Sequence, residues 1–175
     1  MTEETGELTW GDVIRQVAPA VSIALDHACG KPAFDIKPIL KFIAKRIKKM
    51  RVIMFQDRFI EKIRDGSKRH TIRKTARCIP GQRLSLRRWK GKPYRSKHEV
   101  IADTKCLDVR KVRIGHGEFH NGLSVDGIEV QDRGALARGD GFLCTIEMLK
   151  WFEQYHGLPF EGWLIEWEPL EEKVS

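Results

Sequence analysis

The chain has 175 residues, 41% hydrophobic and 32% charged, enough for one well-buried core with an appendage and too apolar for wholesale disorder. Its net charge of +8 hides an asymmetry: Ile36 to His98 carries 22 Lys/Arg against three Asp/Glu, whereas Asp140 to Ser175 carries two against eight. The longest apolar-rich stretch, Val17 to Ala28, is broken by Pro19, Ser22, Asp26 and His27, which excludes it as a membrane span.

Residues 1–9 are polar, and their acids Glu3, Glu4 and Glu7 stand where a signal peptide would be positive, so the expected compartment is the cytoplasm. Trp10 to Cys29 reads as a helix, with Asp12 near its start, Gly30 past its end and Pro19 kinking or splitting it. A second helix is expected from Pro38 to Lys49. There Ile39, Ile43 and Ile47 repeat on one side, with Lys41, Lys45, Lys48 and Lys49 on the other. Residues 1–49 are thus a helical extension, and residues 50–175 form the main domain.

That domain opens with an apolar strand, Val52 to Phe55, and a helix from about Asp57 to Asp65 that turns Phe59, Ile60 and Ile63 inward and ends at Gly66. Lys68 to Arg73 follows, then the turn Ile79-Pro80-Gly81 and the strand Arg83 to Trp89. Two extended runs come next, Glu99 to Thr104 and Cys106 to Ile114, then a Gly/His/Asn loop, Gly115 to Gly122. A hairpin is expected about Asp126-Gly127. A helix from Thr145 to Tyr155 should have Thr145 as N-cap and Ile146, Leu149 and Phe152 as its buried stripe, and the last strand is Gly162 to Trp167. The order predicts an α+β fold, a small and mostly antiparallel sheet closed into a barrel with helices at its ends.

Cys29, Cys78, Cys106 and Cys144 lie far apart and read as free thiols. His116 and His120 have metal-like spacing, but their loop is Gly-rich and no third ligand is near, so neither metal nor cofactor is expected.

Phe55-Gln56-Asp57-Arg58-Phe59 followed by Ile63-Arg64-Asp65-Gly66-Ser67-Lys68-Arg69-His70-Thr71-Ile72-Arg73 resembles the opening signature of ASCH domains, a strand and helix running into G-x-K-x-x-T-x-R. Pro80-Gly81-Gln82-Arg83-Leu84, Asp140-Gly141-Phe142 and Trp163-Leu164-Ile165-Glu166-Trp167 resemble later pieces of that family in the right order, over about Met50 to Leu170. The resemblance implies a PUA-like β-barrel, a fold shared with RNA-binding and RNA-modifying modules. One branch of the family comprises amidohydrolases that deacetylate N4-acetylcytidine with a lysine, a threonine and a glutamate. Carried over by position, these fall on Lys68, Thr71 and Asp140, an aspartate in place of the glutamate, and the family's arginine falls on Arg73.

Hydrolysis of an exocyclic amide needs a base or nucleophile, a proton for the leaving amine and donors for the oxyanion. Lys68 acts as base only when neutral, which means lowering its pKa from about 10.4 toward about 7–8, roughly 4 kcal/mol of differential interaction. Lys68 and Thr71 have opposite strand parity, so they share a pocket only if Lys68 still lies in the turn after Gly66.

Between Gly66 and His98 there are twelve cations and no acid, which points to a basic face and a polyanionic partner. Candidate RNA or nucleoside contacts are Arg58, Arg69, Arg73 and Lys74, together with Arg87, Arg88, Trp89, Lys90 and Tyr94, where aromatics interleave with cations. Trp89 as a core residue with an inert hairpin tip is the plainer alternative. Three functions stay open: binding of RNA or a modified nucleoside without turnover, deacylation of N4-acetylcytidine, and ribonuclease action.

Overall fold

The basic amphipathic segment forms helix α1, Lys37–Lys48, whose last turn holds Lys45, Arg46 and Lys48 at the negative end of the helix dipole. The computed structural model of the chain describes residues 37–115 and 122–170; the helix expected over Trp10 to Cys29 and the loop with His116 and His120 lie outside the described residues. Contacts divide the chain into Met1–Lys48, to which α1 belongs, and Lys49–Ser175. No helix among the described residues is long and apolar enough to cross a membrane.

In the second unit the first apolar run is strand β1, Arg51–Phe55. A 3-10 turn, Asp57–Phe59, runs into helix α2, Ile60–Arg64, and together they bury Phe59, Ile60 and Ile63. Strands β2, His70–Arg73, and β3, Arg83–Trp89, lead to β4, His98–Ile114. The two runs expected separately are therefore one long strand. Bulges at Leu86/Arg87 and Cys106/Asp108 bend it, so that its first half pairs with β3 while its second half joins other partners.

The expected hairpin is β5, Leu123–Val125, and β6, Ile128–Glu129. Its turn residues Asp126 (φ 51°) and Gly127 (φ 80°) both take the left-handed conformation that a tight type I′ turn requires. Helix α3, Arg133–Gly139, was not expected from periodicity, because seven residues with two glycines carry almost none. Helix α4 is Thr145–His156 and the last strand β7 is Phe160–Trp167. Thr145 is the first helical residue and not the cap; Cys144 occupies the cap position, and the Glu147 carboxylate takes the Leu143 N–H at 2.7 Å. The buried stripe of α4 is Met148 and Phe152, and Ile146 is exposed, because rings of Phe142, Trp151 and Phe160 all pack on Phe152.

The architecture is α+β. β1 pairs with β3 in parallel, with α2 and β2 in the crossover between them; every other ladder is antiparallel: β3 with β4, β4 with β5 and β7, β5 with β6, β2 with β7. The expected closed barrel does not form among the described residues. No ladder joins β1 to β2; instead the Arg73 side chain crosses from β2 and donates to the Met54 carbonyl of β1 at 2.6 Å. One core fills the bent sheet, with Leu84, Leu86, Ile114, Met148 and Leu164 almost wholly buried and the Phe55 ring edge-on to Trp167.

Candidate active site

Lys68 lies in the turn after Gly66 and not in β2, which settles the parity question. Gly66 takes φ 73°, the Asp65 carboxylate accepts the Ser67 N–H, and the Lys68 N–H returns to the Lys62 carbonyl at 2.7 Å. The lysine is thereby aimed inward and is 1% exposed.

Its partner arrives from the end of α3. The Phe142 N–H bonds the Ala137 carbonyl and the Gly141 N–H bonds the Arg138 carbonyl, the paired bonds of a Schellman C-cap with Gly141 in the left-handed position at φ 88°. Asp140 is the capping residue itself. A Cβ on Gly141 would meet Phe59 Cδ1 at 2.9 Å and Lys68 Cδ at 3.1 Å, so glycine is required there for space as well as for conformation.

Lys68 Nζ donates to Asp140 Oδ1 at 2.5 Å and also to the Asp140 carbonyl, and Asp140 is 4% exposed. The ammonium sits 4.7 Å from the Phe59 ring centroid and 5.7 Å from that of Phe55. Burial pushes the Lys68 pKa down and Arg73 and Lys62 add to that, while the Asp140 carboxylate opposes them. A buried ion pair of this kind contributes little net stability.

Lys68, Thr71, Arg73, Lys74 and Asp140 line one cavity of about 120 Å³. Thr71, on β2, is 4% exposed. Arg73 is held over the Phe55 ring at 5.2 Å; its buried Nε–H has no acceptor among the described residues, and burial lowers its pKa. Phe142, Trp151, Phe152 and His156 add an aromatic wall to the cavity. Sequence reasoning missed this wall and Gln56. Its signal was the run of rings in α4, where Phe152 and His156 stand four residues apart and stack at 5.6 Å. Burial, with Arg73 and Lys74 beside it, lowers the His156 pKa and favours the neutral ring.

The other candidates lie elsewhere. Arg58 is ion-paired to Glu147 at 2.5 Å and covers Phe59 and Phe142 from outside. Arg69 is exposed and donates to the Gly66 carbonyl, outside the cavity. Arg88 is neutralised by Glu99 at 3.0 Å and Asp57 at 3.5 Å, acids from outside the acid-free run. Arg87 contacts Ser85 and His98. Trp89 and Tyr94 stack at 5.4 Å on the β3–β4 hairpin beside exposed Lys90, with Tyr94 91% exposed, and none of these lines the cavity. Of the expected contacts, Arg73 and Lys74 thus line the cavity, while Arg87, Arg88, Trp89, Lys90 and Tyr94 lie on the β3–β4 hairpin. No protein-family model, no curated protein and no solved structure matches this chain.

Proposed function

We propose that the chain is an ASCH-type, PUA-like protein whose cavity receives a modified cytidine base and hydrolyses its N4-acyl amide. The convergence of Lys68, Thr71 and Asp140, from segments 72 residues apart, in one aromatic-lined cavity is the observation that carries this reading. A volume of about 120 Å³ suits a single ring and its substituent. Rings of Phe142 and Trp151 supply a stacking wall, and the Arg73 guanidinium that lines the cavity supplies donors for a base carbonyl. A bent, mostly antiparallel sheet flanked by short helices supports the PUA-like reading of the fold.

In this mechanism the neutral Lys68 amine takes a proton from water as the water oxygen attacks the acyl carbon. Thr71 donates to the oxyanion, the C–N bond breaks, and the Lys68 ammonium returns the proton to the leaving exocyclic nitrogen. Asp140 holds Nζ in line throughout. Products are the carboxylic acid and cytidine. Incubation with N4-acetylcytidine and chromatography should show cytidine and acetate in equal amounts. Lys68→Ala should lower turnover about 10²- to 10⁴-fold, the usual worth of a general base. No acetate from the native chain, or undiminished turnover by the variant, refutes the chemistry.

The 2.5 Å contact to Asp140 favours a second reading, binding without turnover, because a carboxylate at that distance stabilises the ammonium. Tight binding of the nucleoside with no release of acetate selects it.

A further inference from the structure

Resting on the cavity reading above, we infer that the ligand is a base within a single polynucleotide strand, whose backbone runs in a second, open groove of about 460 Å³ beside the cavity. Lys74 lines both spaces. The groove's other cations are Lys111 and Arg113 of β4, and Trp163 and Ser124 lie among them.

The ladder places groove and cavity on one face. Arg73 is opposite Trp163, and Trp163 is opposite Lys111, so these three form one row across β2, β7 and β4. Residues directly opposite in antiparallel ladders project to the same side. Arg73 belongs to the cavity and the other two to the groove. Two strand spacings, about 10 Å, separate the ends of the row, beyond the reach of a base seated in the cavity.

Size and charge then define what continues outward. The cavity is too small for more than a base, so sugar and phosphates must lie outside it. Among the described residues, three cations face them against the single carboxylate Glu161, which is 76% exposed and only loosely paired with Arg113 at 3.9 Å. Asp126 stands nearby but is occupied by the Lys111 backbone N–H at 2.8 Å. Trp163, with Lys111 Nζ 5.9 Å from its ring, offers a face for a neighbouring base.

Fluorescence anisotropy of the full chain tests this with three probes: N4-acetylcytidine as competitor, its 5′-monophosphate, and a labelled heptanucleotide carrying the modified base at its centre, in ribo and deoxyribo forms. The strand should bind at least about tenfold tighter than nucleoside or monophosphate at low salt, with a log–log salt slope of about −2, from three contacts at about 0.7 each. Tighter binding by either strand form supports the inference and identifies the sugar. Lys111→Glu/Arg113→Glu, and the milder Lys111→Gln/Arg113→Gln, should bring the strand-to-nucleoside affinity ratio toward one, whereas Lys92→Glu/Lys97→Glu on the hairpin should leave it. Nucleoside and strand binding alike, a monophosphate as tight as the strand, or equal loss in the hairpin variant overturns the groove and spares the cavity reading. A nucleoside that neither binds nor competes removes both.

Discussion

Replacing Lys68 by methionine and Asp140 by leucine, singly and together, separates what the buried pair does for the fold from what it does for chemistry. At 2.5 Å and an effective dielectric of about 20, the two charges attract by about 7 kcal/mol. Desolvation opposes this by several kcal/mol for each ion, so the pair is close to neutral in net stability. Removing one partner strands the other beneath Phe55 and Phe59 and should destabilise by about 3–5 kcal/mol, a large part of the roughly 5–15 kcal/mol that holds a domain together. Removing both should restore the native stability or exceed it by about 1–4 kcal/mol. Urea unfolding of the four proteins measures this, with equal m-values certifying comparable unfolding. The double variant should be well folded and release no acetate from N4-acetylcytidine. Strict additivity of the two single effects would mean that the charges do not act as one buried unit. A folded double variant that still turned over substrate would end the catalytic assignment.

Other predictions follow from single contacts. Gly139→Ala brings a Cβ within 2.4 Å of His70 Cε1, so the ring must leave the Leu136 carbonyl it contacts at 3.0 Å; an overpacking loss of about 1–3 kcal/mol is expected in urea melts. The rate of deacetylation should rise with pH through the Lys68 ionisation, below the ordinary lysine range, since burial favours the neutral amine; Arg73→Met, which removes a repelling charge, should move that inflection upward in a pH–rate profile. Burial also lowers the His70 pKa, so the unfolded chain takes up its proton first as pH falls; the stability contributed is complete above about 6.5 and is lost below it, which thermal melts from neutral to mildly acidic pH should show, with the loss reduced in His70→Asn. In a Cys29→Ser background, iodoacetamide should label exposed Cys144 quickly while buried Cys78 and Cys106 wait for unfolding, because the Cys78 contact and burial push the Cys106 thiol pKa up.

Local chemistry was legible wherever one principle acted alone. Arg83–Trp89, the Asp126-Gly127 turn and the helix from Thr145 follow from alternation, turn residues and periodicity. The Lys68–Thr71–Asp140 set was legible through resemblance, since no periodic signal links residues 72 positions apart. Three features depended on tertiary contacts. Helix α3 is held by Asp132 capping Ala135 N–H at 2.7 Å and by its Schellman end. The face of α4 is chosen by rings on Phe152. The gap between β1 and β2 is spanned by one arginine. Within the basic run, Arg88 is paired with Glu99 and Asp57, acids that lie outside it in sequence and that composition alone could not assign to it.

The backbone around the site explains why charge and fold should separate. Arg69 N–H bonds the Gly139 carbonyl at 3.0 Å, Trp167 N–H bonds the Arg69 carbonyl at 3.2 Å, and Lys62 Nζ holds the Gly141 carbonyl at 2.7 Å. The turn after α2, the cap of α3 and the end of β7 are thus tied together by main-chain groups and Lys62 as well as by the Lys68 ammonium, which also holds the Asp140 carbonyl. Apolar side chains of similar size would meet the same walls of Phe55, Phe59 and Phe142, and such replacements are often neutral or stabilising. A lysine and an aspartate in that place forgo this gain, as the proposed proton transfer requires of them.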